Sequence, residues 1–436
     1  MLAKIRDTYR QAYSGLPGRA WILFTVNLVN ASGTMVFFFL SLYLTLKAGF
    51  TPAQAGRALS LYGVGMVVGN YLGGWLADRI GSIAVQKGSL TLCGVLLIVL
   101  GQVRATWAIL LFLFLLAASA GVLYPANAAS MSHVCPAELR VKGFALNRLA
   151  NNLGATIGPA IGGVLALRDY RLLFWGDGLT SLLAAGVFVV LWKGTKVGQE
   201  GGVERESAGL VEQGVEPQSP ARSDATPPGS GDAGGAGASD GPAADRSPWH
   251  DGPFLLLVLI YLVWSSVFIQ LLTTFPLYMR AVYGLAENRI GQLFAVNTVM
   301  IVVLEMVLME KIRKFPLTRM INLSFLLLGA GFGLMPFGRS FAFGGLTVAV
   351  WTFGEMLGIP LFTTLIAGRA GARSRGRYLG LSSLSFSLAF ILAPVAGTAV
   401  YGRFGGSVLW FGCTGVCLLL AAVFSLLRPA LDQPGT

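Results

Sequence analysis

The chain has 436 residues, 54% of them hydrophobic and only 12% charged, against roughly 25% charged in soluble proteins. This excludes a soluble enzyme, and also a soluble domain on a single anchor, because long apolar runs recur at 20–46, 90–103 and 341–366. The formal charge of +12 does not point to nucleic acid: residues 194–252 carry four basic and ten acidic side chains, a net of −6, so the remainder carries +18, in short loops between apolar runs where Lys and Arg set membrane topology.

A transmembrane helix needs about 20 mainly apolar residues, and the runs predict twelve of them. The expected organisation is a cytoplasmic segment 1–19, six spans within 20–193, a connector 194–252, six spans within 253–428 and a tail 429–436. Lys4, Arg6, Arg10 and Arg19 precede the first span and no small-residue cleavage site follows, as in a start-transfer anchor. With the N-terminus inside, 22 Lys/Arg fall on the inner side, 9 outside, and Arg148 within a span. Without the connector and Lys193 at its edge the inner count is 17, still the excess that places both termini in the cytoplasm.

Taken in order, the first span carries Asn27, Asn30 and Phe37, Phe38 and Phe39, and the second carries Gly65, Gly69 and Gly73 on one face. Small residues four apart let helices approach closely in lipid. Gly74-Trp75-Leu76-Ala77-Asp78-Arg79-Ile80-Gly81 leads to the third span, and Asn127 lies in the fourth. The fifth begins with Arg148, Asn151 and Asn152 and continues through Gly154, Gly158, Pro159, Gly162 and Gly163; Asp177 lies near one end of the sixth. The connector is rich in Gly, Pro, Ser and Glu, with too few apolar residues to offset its ordering entropy. Its Gly229–Gly234 matches a dinucleotide-loop spacing, but no strand precedes it and no helix follows.

In the second half, Tyr261, Trp264, Phe268, Gln270 and Phe275 lie on the seventh span, Asn297 and Glu305 on the eighth, and Glu355 on the tenth, five residues before Pro360. Cys413 and Cys417 are one helical turn apart without a His or carboxylate partner, so packing is the better reading, and neither a metal nor a cofactor is expected.

A shift of 235 residues lays the chain on itself. Leu42-Tyr43 falls on Leu277-Tyr278, Gly49 on Gly284, Gly56 on Gly291, Pro125 on Pro360, Arg140 on Arg375, Pro159 on Pro394, Gly162 on Gly397 and Trp175 on Trp410. The matches fall on residue types that restrict backbone geometry. The expected fold is therefore an all-α integral membrane protein, its twelve transmembrane helices forming two six-helix halves around a central pathway, as in secondary transporters.

The segment Gly74–Gly81 resembles the signature loop of the major facilitator superfamily, a glycine followed four residues later by Asp-Arg-x-Gly. Gly154, Gly158, Pro159, Gly162 and Gly163 resemble the antiporter motif of its twelve-span drug/proton antiporter branch. The resemblance implies a gating role for Gly74, Asp78, Arg79 and Gly81, with Asp78 pairing with bases or capping neighbouring helices. Two departures stand out. Ser82 and Ile83 replace the usual bases after Gly81, and Ala117 stands where efflux relatives carry an arginine, leaving Arg148 as the nearest substitute.

A charge at mid-membrane costs about 2.5–3.5 kcal/mol on insertion scales, which makes ionisable residues there functional candidates. The proton-coupling candidates are Glu355, Glu305, Arg148 and Asp177, with Arg148 a partner for Glu355 if that acid is structural. Glu305 repeat-aligns with Asn70, about 12 Å above the inner loop at about 1.5 Å per residue. Asn27, Asn30, Asn127, Asn151, Asn152, Gln270 and Asn297 are cavity candidates, with the aromatic residues of the first and seventh spans as an apolar wall.

These features lead to an expected proton-coupled efflux transporter of lipophilic small molecules in a bacterial inner membrane, acting as a monomer by alternating access. Its partners are a small-molecule substrate, protons and the lipid bilayer, and no P-loop for ATP occurs. Proton-coupled uptake of a sugar, peptide or amino acid is the alternative, and a non-transporting sensor or scaffold a further one.

Overall fold

The computed structural model describes residues 14–194, 248–369 and 374–432. The segment 1–19, the connector 194–252 and the tail 429–436 lie largely outside these residues. Every regular element among the described residues is helical. The first seven helices are α1 (Gly18–Gly33), α2 (Val36–Leu46), α3 (Pro52–Ile80), α4 (Ser82–Leu100), α5 (Thr106–Val134), α6 (Arg140–Arg168) and α7 (Tyr170–Gly194). Then come α8 (Gly252–Phe268), α9 (Gln270–Thr273), α10 (Phe275–Ala281), α11 (Glu287–Ile312), α12 (Leu317–Leu334), α13 (Phe341–Arg369), α14 (Arg375–Phe404) and α15 (Gly406–Asp432).

Ten helical stretches are long and apolar enough to cross a membrane, two fewer than the twelve spans expected; α1 with α2 and α8 with α9 each count as one. The two that fall short, α3 and α6, have 29 residues each. Their glycines and charges, Arg57, Asp78 and Arg79 in one and Arg140, Lys142, Arg148 and Arg168 in the other, lower their hydropathy.

The packing repeats. In the first half α1 lies against α6 and α7, α4 against α5 and α7, and α3 against α5. The second half has the same pattern, with α8 against α14 and α15, α12 against α13 and α15, and α11 against α13. Between the halves the main contacts are α3 with α14 and α6 with α11. At both seams a glycine meets the repeat-equivalent proline: a Cβ on Gly56 would overlap the Pro394 carbonyl and Thr398, and one on Gly291 the Pro159 carbonyl.

The breaks also repeat. The first span is interrupted at Thr34–Met35 and the seventh at Ile269, and Thr34 and Ile269 are 235 residues apart. Gly49 and Gly284 follow at equivalent turns with φ of 75° and 64°, a region that disfavours any side chain with a Cβ.

Within α3, Gly65, Gly69 and Gly73 face Phe114, Ala118, Val122 and Pro125 of α5 at backbone distance. This is the close small-residue packing of membrane helices.

At the end of the second half where α8 begins, Asp251 accepts from Arg369 Nε at 2.8 Å and Nη2 at 2.9 Å, from the Phe254 N–H at 3.1 Å and from the Tyr378 O–H at 3.2 Å. One carboxylate thus caps α8 and ties it to α13 and α14. Burial acts to raise the Asp251 carboxyl, but the Arg369 bonds, the Phe254 N–H, the Arg369 charge and the Tyr378 hydroxyl outweigh it and hold the group below the ordinary carboxylate range.

A depressed folded-state pKa gives stability that is complete above the unfolded carboxylate value of about 3.9 and is lost as pH falls through the lower folded value. Asp251→Asn should therefore lower the melting temperature at pH 7 and make no difference once the medium is acid enough to protonate the wild-type group, as scanning fluorimetry across pH will show. Gly291→Leu should cost about 1–3 kcal/mol by overpacking the α6–α11 seam, read as a fall in denaturation midpoint.

Candidate functional site

The two halves meet most closely at one end of the bundle. Ser60 Oγ donates to the Ile391 carbonyl, and the Tyr170 hydroxyl donates to Glu287 Oε1 at 3.1 Å. Phe37 stacks on Phe390 with centroids 6.2 Å apart, and Phe38 meets Phe294 edge-on at 4.9 Å. Tyr62 lies beside Phe37 at 5.4 Å. Gly163 closes on Glu287 and Asn288, while Gly154, Gly158 and Gly162 pack against α1, the Thr34–Met35 break and Phe39. The glycine ladder of α6 therefore serves both a helix of its own half and the seam.

From this closed end the α6–α11 seam runs 11 residues from Pro159 to Arg148 and 14 from Gly291 to Glu305, roughly 16–21 Å. There Arg148 Nη2 donates to Glu305 Oε1, an ion pair bridging the two halves. The arginine side chain is 56% exposed and the glutamate 12%, so the pair stands at the edge of accessible space. Beside it, Asn297 Nδ2 donates to Glu355 Oε2 at 2.7 Å and to Thr352 Oγ1 at 3.0 Å. Glu355 is close enough for its charge to interact with both Glu305 and Arg148.

The partner of Arg148 is thus Glu305 and not Glu355. The sequence placed Arg148 near the start of one span and Glu305 near the end of another, but their register appears only once Pro159 and Gly291 are known to touch.

A second polar chain runs through the first half. Asn127 Nδ2 donates to Asn27 Oδ1 at 2.7 Å, and Asn27 Nδ2 donates to Asn147 Oδ1. Asn147 was missed by the sequence reading; its place next to Arg148 and one turn before Asn151 was the available signal. Asn127 Oδ1 is buried and accepts nothing. Asn151 is exposed and Asn152 half-buried.

Several expected lining residues are elsewhere. Gln270 is buried and occupied: its Nε2 donates to the Ser266 and Ala393 carbonyls, and its Oε1 accepts from Thr273 and Thr274. It fills the break in the seventh span, where a helix loses backbone bonds. Trp264 and Phe275 are fully buried, and Tyr261 and Phe268 nearly so. They form helix-packing core because Gly358 leaves a slot that the Trp264 ring fills. Phe39 is also buried, so of the three first-span phenylalanines Phe37 and Phe38 face the other half.

The signature segment differs from its expected form as well. Gly74 to Ile80 continue α3, and the turn is Gly81 alone, with φ of 85°. Asp78 and Arg79 are exposed. Arg79 lies over the Trp75 ring at 4.2 Å, while Asp78 has no hydrogen bond or ion pair among the described residues. The pairing expected of Asp78 is absent because the last turn of α3 carries it into the open, beside exposed Trp75 and Ile80.

Asp177 is buried in α7, and its Oδ2 accepts from the Met35 and Val36 N–H groups at 3.2 and 3.1 Å. It therefore caps α2 across the break in the first span. Cys413 and Cys417 are buried free thiols, and no cluster of three metal-ligating side chains occurs among the described residues.

Ten helical stretches among the described residues are thus of membrane-spanning length, and charged side chains of two facing helices pair across the seam. The Na(+), Li(+), K(+)/H(+) antiporter of Planococcus maritimus is 26% identical over 435 residues, covering 95% of both chains. Quinolone resistance protein NorA of Staphylococcus aureus is 26% identical over 143 residues, 33% of this chain and 37% of that one. The solved peptide transporter POT in complex with sulfate has a TM-score of 0.73 at 18% identity, covering 96% of each chain. Nucleoside transporter NupG has a TM-score of 0.70 at 11% identity over 94% of this chain and 99% of that one. These structures establish a shared fold. The family model of the Major Facilitator Superfamily matches residues 22–382, and the chain belongs to that superfamily.

Proposed function

We propose that this transporter is a proton-coupled antiporter that exports lipophilic small molecules across a bacterial inner membrane by alternating access. In this reading α3 and α6 also cross the membrane, giving twelve spans in two six-helix halves with both termini cytoplasmic. The less hydrophobic α3 and α6 are tolerable there because each packs along a seam between the halves, α3 against α14 and α6 against α11.

The observation that carries the reading is the Arg148–Glu305 ion pair across the seam, with Glu355 alongside. A proton on Glu305 removes the negative charge that holds Arg148, and a proton on Glu355 removes a second negative charge beside the pair. With Glu305 neutral, the link between α6 and α11 weakens and the halves are free to part at that end. When the proton leaves, the charge returns and the pair re-forms. Coupling requires this link between protonation and the relative position of the halves.

Relatives support export and antiport together: one is named for quinolone resistance over a third of this chain, and another for cation/proton exchange over nearly all of it. The full-length match also favours a second reading, exchange of monovalent cations for protons. Uptake of a carboxylate-bearing solute is weakened because Glu305 already occupies Arg148.

The deciding experiment is dye accumulation in an efflux-deficient host, with and without a protonophore, followed by flux in proteoliposomes. Glu355→Gln and Glu305→Gln should each fold and bind the dye, yet lose at least about tenfold of gradient-driven flux, the size of effect expected from a lost proton-transfer group. Wild-type flux in both variants would make the network structural. A double-mutant cycle of Arg148→Ala and Glu305→Ala should return a coupling energy between roughly 0.5 and 3 kcal/mol in stability. A cysteine placed in the connector, after removal of the native ones, should resist an impermeant thiol reagent in intact cells; labelling from outside would reverse the orientation.

A further inference from the structure

The break in the first span opens onto a cavity of about 80 Å³ inside the first half, away from the Arg148–Glu305 pair. Asp177, Asn30, Ser181, Thr34 and Tyr62 supply its polar lining. Asp177 is 7% exposed, and both backbone N–H groups that it caps go to Oδ2, so Oδ1 accepts no hydrogen bond among the described residues. None of the ion pairs of the described residues involves Asp177. A buried, unpaired carboxylate must be neutralised by a proton or a cation.

The rest of the lining is apolar, with Val36, Phe37, Leu40 and Leu116 among it, and the polar groups gathered with Asp177 favour a hard cation. Asn30 Oδ1 accepts from Ser181 Oγ at 3.2 Å and keeps a second lone pair. The Ser181 and Thr34 hydroxyls spend their protons on Asn30 oxygens, which leaves their lone pairs available. Neutral oxygens around one carboxylate form a ligand set for a small monovalent metal ion. A water occupies about 30 Å³ of liquid, so the cavity holds such an ion with one or two waters. It is far below the roughly 300–1,000 Å³ of an organic-ligand pocket.

We propose that Asp177, Asn30, Ser181 and Thr34 form a binding site for a monovalent alkali cation of lithium or sodium size. The inference rests on the reading of the chain as an ion-coupled antiporter, but its test needs no transport. Purified full-length protein in detergent is titrated with LiCl, NaCl or KCl replacing choline chloride at constant ionic strength, with melting temperature and titration calorimetry as readouts. Lithium or sodium should raise the melting temperature in a saturable way. Asp177→Asn, whose amide oxygen can still cap α2, should lose that rise, and Asn30→Ala should weaken the affinity about tenfold. No alkali-specific effect relative to choline, or an undiminished effect in Asp177→Asn, would overturn the site. Should Asp177→Asn not fold, Asn30→Ala and Ser181→Ala decide: about tenfold weaker binding supports the site and unchanged binding refutes it. Because Glu355→Gln leaves this cavity intact, it should bind the cation like wild type even where dye flux is lost, so the two readings fail separately.

Discussion

Everything in this bundle depends on how closely two pairs of helix backbones approach, α3 with α14 and α6 with α11. In lipid there is no hydrophobic gain in pressing one apolar helix on another, so van der Waals contact must do it. That contact needs small residues at the seam. Gly56 against Pro394 and Gly291 against Pro159 supply it at repeat-equivalent points. Once those points are fixed, the register of the seam is fixed too. Arg148 and Glu305, with 156 residues between them in the sequence, are then forced to the same height on facing helices.

The scaffold is duplicated but its charges are not. At the shift of 235, Arg148 corresponds to Ser383, Glu305 to Asn70, Glu355 to Ala120 and Asp177 to Gly412. One seam therefore carries an ion pair where the other has only neutral groups. The broken spans show the same divergence. In the first half the free N–H groups at the break are met by a carboxylate from another helix, while in the second Gln270 satisfies its surroundings from within the broken span itself. Under the proposed alternating access, a symmetric pair of halves supplies two equivalent ways to rock, and asymmetric charge allows an ion to bias one over the other.

Much of the architecture was legible because it rests on residue types with few substitutes. Gly49 and Gly284 mark turns that need positive φ, and Gly56 with Gly291 marks the seams. Apolar runs predict twelve spans, and ten helical stretches among the described residues meet membrane length and hydropathy. The apolar signal is weakest for α3 and α6, whose glycines and charges lower their hydropathy. The site was less legible. Arg148, Glu305, Glu355 and Asp177 stand out by the cost of charge in a membrane, but their partners depend on register across the halves. Asn147 carried no such cost and passed unnoticed. Gln270 and Trp264 read as lining from sequence because a polar amide and a large ring suit a cavity as well as they suit a broken helix and a glycine slot.

The two acidic centres lie on opposite sides of one mechanical element. Asp177 holds the N–H groups of Met35 and Val36, and the next residues, Phe37 and Phe38, are the rings that meet Phe390 and Phe294 of the other half. The cap on α2 and the aromatic contact across the halves are thus consecutive along the chain. Any ion that draws the Asp177 carboxylate toward the cavity weakens its hold on α2, and the first side chains to feel that change are at the closed end. The Arg148–Glu305 pair acts on the same two halves from the far end of the α6–α11 seam. On the two proposals made above, an ion at one centre and a proton at the other act on opposite ends of a single rigid-body motion, and exchange of one for the other follows if each ion favours the end it loosens.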